Sequence, residues 1–371
     1  MPGAPVSRRR DGMSATVKSL AGHVMETLWG RFVALPQSPA PVPVRSEEPR
    51  MKTFTRRLLA TAATLLLGAG IQAAPAAAAE PGPELQTPVA VLDQALSCSS
   101  DVAHASKTPV LLVHGTFSDP SETWSWGYQR VLSAEGYPVC TVTLPERATI
   151  DMQTTVEYVV HAIRRVNEDS GRKLSIVGHS QGGVLPAWAL RFWPDLAARV
   201  DDNIALAGPQ TGTKLASALC SAGSCPDIAR QLAVGSDWMS ALTRKPIDSS
   251  VSFTSIGSHG DEVVFPAPEA TRFPGATNVM VQDLCPGRPV GHIGLLADAA
   301  AYALVTDALT HNGPADPGRV GGQVCVQGTY PGLDPVGMGD LLETGIAGLT
   351  AFATLPYTPH EPALRDYAVS G

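Results

Sequence analysis

Apolar residues along the chain follow two alternating patterns. Short continuous apolar or β-branched runs predict strands, and apolar residues spaced three and four apart predict helices. The predicted strands are 110–113, 137–143, 173–177, 203–207, 251–256 and 277–282. The predicted helices are 124–135, 151–167, 182–193 and 295–309. This alternation, with continuous apolar strands, predicts an α/β fold in which helices cover both faces of a mostly parallel sheet.

Two stretches interrupt this alternation. Residues 211–248 are mixed in character, and we interpret them as a small lid region. Residues 312–371 are rich in Gly and Pro, with one helical pattern at 338–352. Because about 290 residues suit one large α/β domain, residues 80–371 are predicted to form a single domain.

The N-terminal segment has a different composition. A basic stretch, Met51 to Arg57, precedes a short apolar run and an Ala-rich segment that ends at residue 79. This order predicts a secretory signal peptide at 51–79, with an apolar part too short for a membrane span. Residues 1–50 are either an over-annotated extension before the true start at Met51, disordered in its Pro-rich part, or an unusually long n-region. The protein is therefore expected to be secreted.

Charge is distributed unevenly along the chain. Residues 1–79 hold 10 of the 27 Lys and Arg residues and 4 of the 34 Asp and Glu residues. The remaining residues carry 17 basic and 30 acidic groups, a formal charge of −13. An acidic chain without a basic run has no electrostatic footprint for nucleic acid or an anionic membrane. We expect no nucleic-acid partner, no stable membrane insertion and a monomer.

All six cysteines follow residue 79. An even count in an exported chain indicates three disulfides, for which fifteen connectivities exist. Local nesting favours the pairs Cys98–Cys140, Cys220–Cys225 and Cys285–Cys325. No C-x2-C pair, phosphate loop or dinucleotide motif occurs, so neither a metal nor a cofactor is expected.

The segment 178–182 reads G-H-S-Q-G and follows a predicted strand directly before a predicted helix. The pattern alone is common, but this strand-to-helix context is the one in which a serine is lifted from the sheet edge as a nucleophile. Ser180 is therefore the candidate nucleophile, against the alternative of a structural serine in a turn. The backbone N–H of Gln181 would then face the same point and bind a developing oxyanion.

A nucleophilic serine needs a base that is oriented by a carboxylate, and in this fold class the chain order is Ser, acid, His. The histidines after Ser180 are His259, His292, His311 and His360. His292 is favoured because it lies in a loop between the last strand and a helix. Its alternative role is to cap that helix.

The acid candidate is Asp261, which follows the strand 251–256. The adjacent Glu262 is the close competitor, whereas Asp283 precedes a cysteine and is interpreted as structural. A second oxyanion donor is expected after the first predicted strand, where Thr116 lies in an H-G-T turn and could add its hydroxyl.

These motifs resemble those of the secreted lipases of the Candida antarctica lipase B type, over residues 95–360. The matching segments are 111–116, 156–163, 180–183, 260–264 and 291–294. The resemblance implies a serine carboxylic ester hydrolase on an α/β-hydrolase fold. It assigns the triad to Ser180, Asp261 and His292, and the oxyanion donors to Thr116 and Gln181. It also implies the disulfides Cys98–Cys140 and Cys285–Cys325.

Three positions depart from the fungal members of that family. This chain has His179 in place of Trp, His114 in place of Pro and Gln210 in place of Asp. None is a triad residue, but His179 and Gln210 affect the pocket for the alcohol part of a substrate. The Cys220–Cys225 pair has no counterpart that the resemblance assigns.

The predicted activity is cleavage of acyl esters, acylglycerols in particular, at a lipid–water interface. Apolar residues at helical spacing offer either a substrate pocket or ordinary core packing. They are Leu341, Leu342, Ile346 and Leu349. The alternatives are a polyester or cutin hydrolase, and a secreted binding protein on an inactive hydrolase scaffold.

Overall fold

A computed structural model of the protein describes residues 80–99, 102–104, 106–248 and 250–370. The predicted signal peptide at 51–79 and the segment 1–50 lie outside the described residues. Among the described residues, no helix is both long and apolar enough to cross a bilayer.

A seven-stranded sheet forms the centre of the fold, in the order β1-β3-β2-β4-β5-β6-β7. The strands are β1 (Leu96–Cys98), β2 (Val110–Val113), β3 (Val139–Val142), β4 (Leu174–His179), β5 (Val200–Leu206), β6 (Ser252–Gly257) and β7 (Thr277–Met280). All neighbours pair in parallel except β1, which is antiparallel to β3. The carboxyl ends of β2, β4, β5, β6 and β7 therefore meet at one edge, where open α/β sheets place their sites.

Helices pack on both faces of this sheet and bury two separate apolar clusters. The helices before β5 are α1 (Val89–Ala95), α2 (Pro120–Trp124), α3 (Tyr128–Ala134), α4 (Met152–Ser170) and α5 (Leu185–Phe192). Those after it are α6 (Lys214–Leu219), α7 (Asp227–Gln231), α8 (Asp237–Thr243), α9 (Val281–Leu284), α10 (Ala299–Thr310), α11 (Pro317–Val320), α12 (Pro335–Ala351) and α13 (Asp366–Ser370). One cluster joins α4 and α5 to Leu111, and the other joins α3 and α10 to Leu112. Consecutive β2 side chains point to opposite faces, which explains the continuous apolar strand.

The longest helix, α4, has the boundaries that its sequence predicts at the N-terminus and extends further at the other end. The side chain of Asp151 accepts the backbone N–H of Gln153, and Gly171 ends the helix with a left-handed φ of 62°. These are the usual N-cap and C-cap signals. The helix therefore begins at Met152 and ends at Ser170, three residues beyond the predicted end.

Two predictions of secondary structure are wrong in detail, and one strand is not predicted. The predicted helix 124–135 is two helices, α2 and α3, separated at Gly127. A Cβ on Gly127 would lie 2.4 Å from the hydroxyl of Tyr330, so the chain bends there to let that ring approach. The predicted strand 277–282 ends at Met280, whose N–H binds the Asp283 carboxylate and starts α9. Strand β1 is not predicted, because three residues carry too little pattern.

Three disulfides join the predicted cysteine pairs. Cys98–Cys140 links β1 to β3 at directly opposed positions. Cys220–Cys225 closes the turn after α6. Cys285–Cys325 joins the end of α9 to the short 3-10 helix Gly322–Val326. The fold therefore has covalent links at its edge strand and in two of its loop regions.

The region 211–248 contains the short helices α6, α7 and α8. The C-terminal segment after α12 forms hydrogen bonds with this region. Thr358 exchanges backbone hydrogen bonds with Cys225. The carboxylate of Glu361 accepts the backbone N–H groups of Asp237 and Trp238 at 2.9 Å, at the start of α8. Further along, Arg365 forms an ion pair with the buried Glu157 of α4.

Candidate active site

A strained turn after β4 carries Ser180. Its φ is +57°, a left-handed conformation that non-glycine residues rarely adopt and that is typical of functional sites. A Cβ on Gly178 would lie 1.9 Å from the carbonyl oxygen of Gly182, and one on Gly182 would lie 2.2 Å from that of Val113. Both glycines of the motif are therefore required by close backbone contacts.

The loop after β2 packs directly against Ser180. A Cβ on Gly115 would lie 2.9 Å from the Cβ of Ser180 and 3.4 Å from its Oγ. Val113 and Gly178 are register partners in the neighbouring strands β2 and β4. The pairing of these strands thus brings Thr116, one residue beyond Gly115, next to the serine.

The two predicted oxyanion donors lie side by side. The hydroxyl of Thr116 donates a hydrogen bond of 3.0 Å to the side-chain oxygen of Gln181. Gln181 is fully buried and directly follows the serine. In this arrangement the single hydroxyl proton of Thr116 is engaged by Gln181, so the hydroxyl must rotate before it can donate to a substrate.

His114, in the same loop, has no free ring nitrogen. Its Nδ1–H donates to the carbonyl of Gly115 at 2.8 Å, and its Nε2 accepts the backbone N–H of Leu144 at 3.0 Å. Burial lowers the pKa of His114 to about 4. This neutral, fully bonded ring is a structural element of the loop and not a base.

Asp261 and His292 form a buried pair at the same sheet edge. The Nδ1–H of His292 donates to the two carboxylate oxygens of Asp261 at 2.9 and 3.1 Å. Oδ1 of Asp261 also accepts the backbone N–H groups of Val263 and Val264 at 2.9 and 2.7 Å. These bonds fix the carboxylate, and the carboxylate fixes both the tautomer and the orientation of the imidazole.

Opposing effects act on the pKa of His292. Burial lowers it, but the charge and hydrogen bond of Asp261, together with the charge of Glu262, raise it above its usual value. Glu262 is the sequence alternative for the acid. Its carboxylate accepts the backbone N–H of His292 at 3.1 Å instead of binding the ring.

His179 lies against His292 on the other side. Its ring centroid is 4.7 Å from that of His292, with the planes tilted by 46°, and its Nε2 binds the carbonyl oxygen of His292 at 3.1 Å. Because a carbonyl only accepts, this nitrogen carries the proton. Burial and the neighbouring His292 lower the pKa of His179 to about 3, so the ring is neutral.

Gln210 supports the serine turn from behind. Its side-chain amide donates to the carbonyl of Gly183 at 3.1 Å, and the residue is fully buried. A Cβ on Gly208 would lie 2.7 Å from that amide nitrogen, so Gly208 makes room for it. Gln210 therefore contacts the backbone of the turn Ser180–Gly183, which lies directly before α5.

The predicted apolar residues lie on α12, which passes over the site loops. A Cβ on Gly348 would meet Phe117 at 2.7 Å, and one on Gly345 would meet Ile293 at 2.8 Å. Phe117 follows Thr116, and Ile293 follows His292, so α12 lies beside both. Leu341 is 5% exposed and belongs to an apolar core cluster. Three further predicted positions have side chains outside the described part: Leu342, Ile346 and Leu349.

A cavity of about 400 Å³ lies between α12 and the loops that carry Phe117 and Arg147. Its lining includes Phe117, Arg147, Gly348 and Leu355, so both apolar and charged side chains border it. It provides space next to the loop that carries Thr116.

Hydrogen bonds join the loop at Phe117 to the loop at Arg147, and no sequence pattern predicts them. Phe117 has a φ of +65°, and its N–H donates to the carbonyl of Arg147 at 2.8 Å. The Nε–H of Arg147 donates back to the carbonyl of Phe117 at 3.0 Å. Glu146, Arg147 and Ala148 also have left-handed φ values. No glycine marks these positions, so their strain leaves no sequence signal.

Within the part of the chain that the structure describes, no three metal-ligating side chains cluster as a metal site. The groups present at this edge are a serine in a strained turn, a carboxylate–imidazole pair and N–H or O–H donors. This set is suited to nucleophilic attack on a carbonyl group with stabilisation of the oxyanion.

Several known lipases are similar to this chain in sequence or structure. The family model described as "Lipase (class 2)" matches residues 107–283, a span that contains Ser180 and Asp261 and ends before His292. Lipase B of Pseudozyma antarctica is 30% identical over 238 residues, which cover 61% of this chain and 69% of that protein. The crystal structure of Aspergillus fumigatus lipase B matches with a TM-score of 0.70 at 28% identity. That match covers 78% of this chain and 74% of the other. The predicted α/β-hydrolase fold is confirmed by this likeness.

Proposed function

We propose that Ser180, His292 and Asp261 form the catalytic triad of this chain. The chain belongs to the lipase B family and is a serine carboxylic ester hydrolase. The observation that carries the proposal is the buried bond between Asp261 and His292 at 2.9 Å. It lies at the sheet edge that presents Ser180 in a left-handed turn.

The reaction follows from these roles. Oγ of Ser180 attacks the ester carbonyl while Nε2 of His292 takes the hydroxyl proton, and Asp261 stabilises the imidazolium that results. His292 then gives this proton to the departing alkoxide, which leaves an acyl-serine. In the second half, His292 takes a proton from water as it attacks the acyl carbon, and returns that proton to Ser180 as the acid departs.

We assign the oxyanion hole to Thr116 and Gln181. The N–H of Gln181, the N–H of Thr116 and the hydroxyl of Thr116 are the donors. Their support is the close contact of Gly115 with Ser180 and the Thr116–Gln181 bond. A donor that is already in place when charge develops on the carbonyl oxygen is worth about 10²–10³ in rate. The Thr116 hydroxyl must first turn away from Gln181.

The proposed substrates are acyl esters with apolar chains, acylglycerols in particular. We place the acyl chain beside α12, since this helix lies over the residues that follow Thr116 and His292. His179 and Gln210 are the candidates for selectivity towards the alcohol part. The three disulfides support secretion, since such bonds persist in oxidising environments.

The test is labelling with a fluorophosphonate probe, together with turnover of p-nitrophenyl esters from acetate to palmitate. The probe should modify Ser180, and Ser180→Ala should abolish turnover. Ser240→Ala, which alters an exposed serine on α8, serves as the control and should leave turnover unchanged. Retained turnover by Ser180→Ala, or labelling of another serine, would refute the assignment. Preference for the longer esters would support lipid substrates, and preference for acetate would count against them.

A further inference from the structure

Three residues hold His292, each at a different group. The ring Nδ1–H binds Asp261, the backbone N–H binds Glu262, and the backbone carbonyl accepts from His179. Since both backbone polar groups and one ring nitrogen are engaged, the Nε2 of His292 is the remaining polar atom of this residue for chemistry. Both the ring and the backbone of His292 are thus held in place, and Asp261 is not the only residue that positions it.

The contribution of His179 has two parts. Its Nε2–H bond of 3.1 Å anchors the His292 backbone, and its ring packs on the His292 ring at 4.7 Å between centroids. His179 itself is held by the end of β4, one residue before the strained Ser180. A single residue therefore connects the position of the nucleophile with the position of the base.

We propose that His179 is a positioning residue that sets His292 relative to Ser180, an inference that rests on the proposed triad. Proton transfer depends on the distance and angle between the two atoms, and a displacement of about 1 Å costs up to 10²-fold in rate. His179 is adjacent in the chain to one partner and bonded to the other. It therefore fixes this geometry through the position of His292.

The neutrality of His179 is part of the same role. During attack, His292 becomes an imidazolium, and a second positive charge in ring contact would oppose this. The titratable group that acts on His179 is His292, and Asp261 and Glu262 act in turn on His292. With a pKa of about 3, His179 is neutral at neutral pH, and its Nε2 carries the proton that it donates to the His292 carbonyl.

Two substitutions separate the two contacts. His179→Phe keeps a flat ring but removes the donor and leaves the His292 carbonyl without it. His179→Gln keeps an N–H donor at a similar reach but removes the ring. We expect His179→Phe to lower kcat about tenfold, because a buried acceptor loses its partner. We expect His179→Gln to recover most of that loss, with KM for p-nitrophenyl acetate within about twofold in both variants.

The control is His161→Gln, since His161 is another buried, hydrogen-bonded histidine, paired with Asp93 away from the site. Its kcat per active site should equal that of the wild type. Rates are referred to sites titrated with the fluorophosphonate probe, which removes any contribution from unfolded protein. The deshielded proton resonance of the Asp261–His292 bond gives a second readout, and it should broaden or move in His179→Phe but not in His161→Gln.

The outcomes distinguish this inference from the proposed function. If Ser180 is not labelled in the wild type, the triad itself is wrong. If Ser180 is labelled but His179→Phe keeps its kcat within about twofold and its resonance unchanged, the positioning role is wrong and the triad stands. A rise in KM with kcat unchanged would also overturn it, and would leave His179 with the selectivity role alone.

Discussion

Glu262 accepts the backbone N–H of His292 at 3.1 Å, while the adjacent Asp261 binds the ring of the same histidine. Two consecutive carboxylates thus serve one base through different groups. Both charges raise the pKa of His292, although burial alone would lower it. Glu262 therefore acts on the electrostatics of the ring without a bond to it.

Glu262→Gln should move the acid limb of the pH profile of kcat/KM to lower pH. The amide oxygen can still accept the His292 N–H, but the negative charge that raises the pKa of His292 is gone. Because only the neutral imidazole accepts the serine proton, activity is lost as pH falls through this pKa. A lower pKa therefore extends activity into more acidic solution, as measured with p-nitrophenyl butyrate.

Glu343→Gln, which removes an exposed carboxylate from α12, is the control for this shift. Its acid limb should coincide with that of the wild type. An acid limb that stays in place or moves to higher pH in Glu262→Gln would contradict the electrostatic role of Glu262.

Asp261→Asn should reduce kcat by about 10³–10⁴-fold with little change in the fold. The amide oxygen would keep the bonds from the N–H groups of Val263 and Val264. Its NH2 group would then face Nδ1 of His292 and force the proton onto Nε2, the atom that must accept the proton of Ser180. The measurement is kcat per titrated site, together with thermal unfolding.

The matched control is Asp283→Asn. Asp283 accepts the N–H of Met280 at the start of α9 and does not bind His292. A small loss of stability with unchanged kcat is expected. If the two variants lost activity equally, the assignment of the acid to Asp261 would be wrong.

Thr116→Val should lower kcat by about 10–100-fold and leave KM nearly unchanged. The hydroxyl now donates to Gln181, but a bond to a charged oxyanion is about twice as strong as a bond to a neutral amide. We therefore expect the hydroxyl to turn towards the oxyanion during attack. Thr116→Ser keeps the hydroxyl and should retain most of the activity. Equal rates for the Val and Ser variants would show that only backbone N–H groups form the hole.

Much of this site could be predicted from the sequence because its residues are marked by motifs. Gly178 and Gly182 are required by close backbone contacts, and the order of Ser180, Asp261 and His292 along the chain follows the strands that carry them. The glycine turn is a local feature, since a turn after a strand can be recognised within five residues.

The rest depends on contacts between distant segments. The bond from Glu262 to the His292 backbone and the ring contact of His179 arise only when three strand ends meet. The left-handed residues Phe117 and Arg147 carry no glycine, so nothing in their own sequence marks them. Strand β1 is recognised only by its pairing with β3.

Another buried carboxylate, that of Asp202, lies within the sheet, where it affects stability instead of catalysis. Asp202 of β5 is 5% exposed and accepts the hydroxyl of Ser175 in β4 at 2.9 Å. Burial raises its pKa from 3.8 to about 7, although the bond from Ser175 acts in the opposite direction. Folding therefore disfavours the ionised form of this group.

Asp202→Asn should stabilise the protein increasingly as pH rises. A carboxyl with a raised pKa contributes stability that is complete below pH 3.8 and is lost as pH rises through about 7. Asn does not ionise and can still accept from Ser175, so its advantage should reach on the order of 4 kcal/mol above pH 7 and be smaller at pH 5. Denaturant unfolding at pH 5 and pH 8 measures this difference. Asp340→Asn, which alters an exposed carboxylate on α12 that does not act on the pKa of Asp202, should show no such trend. A pH-independent effect of Asp202→Asn would mean that Asp202 ionises freely in the folded protein.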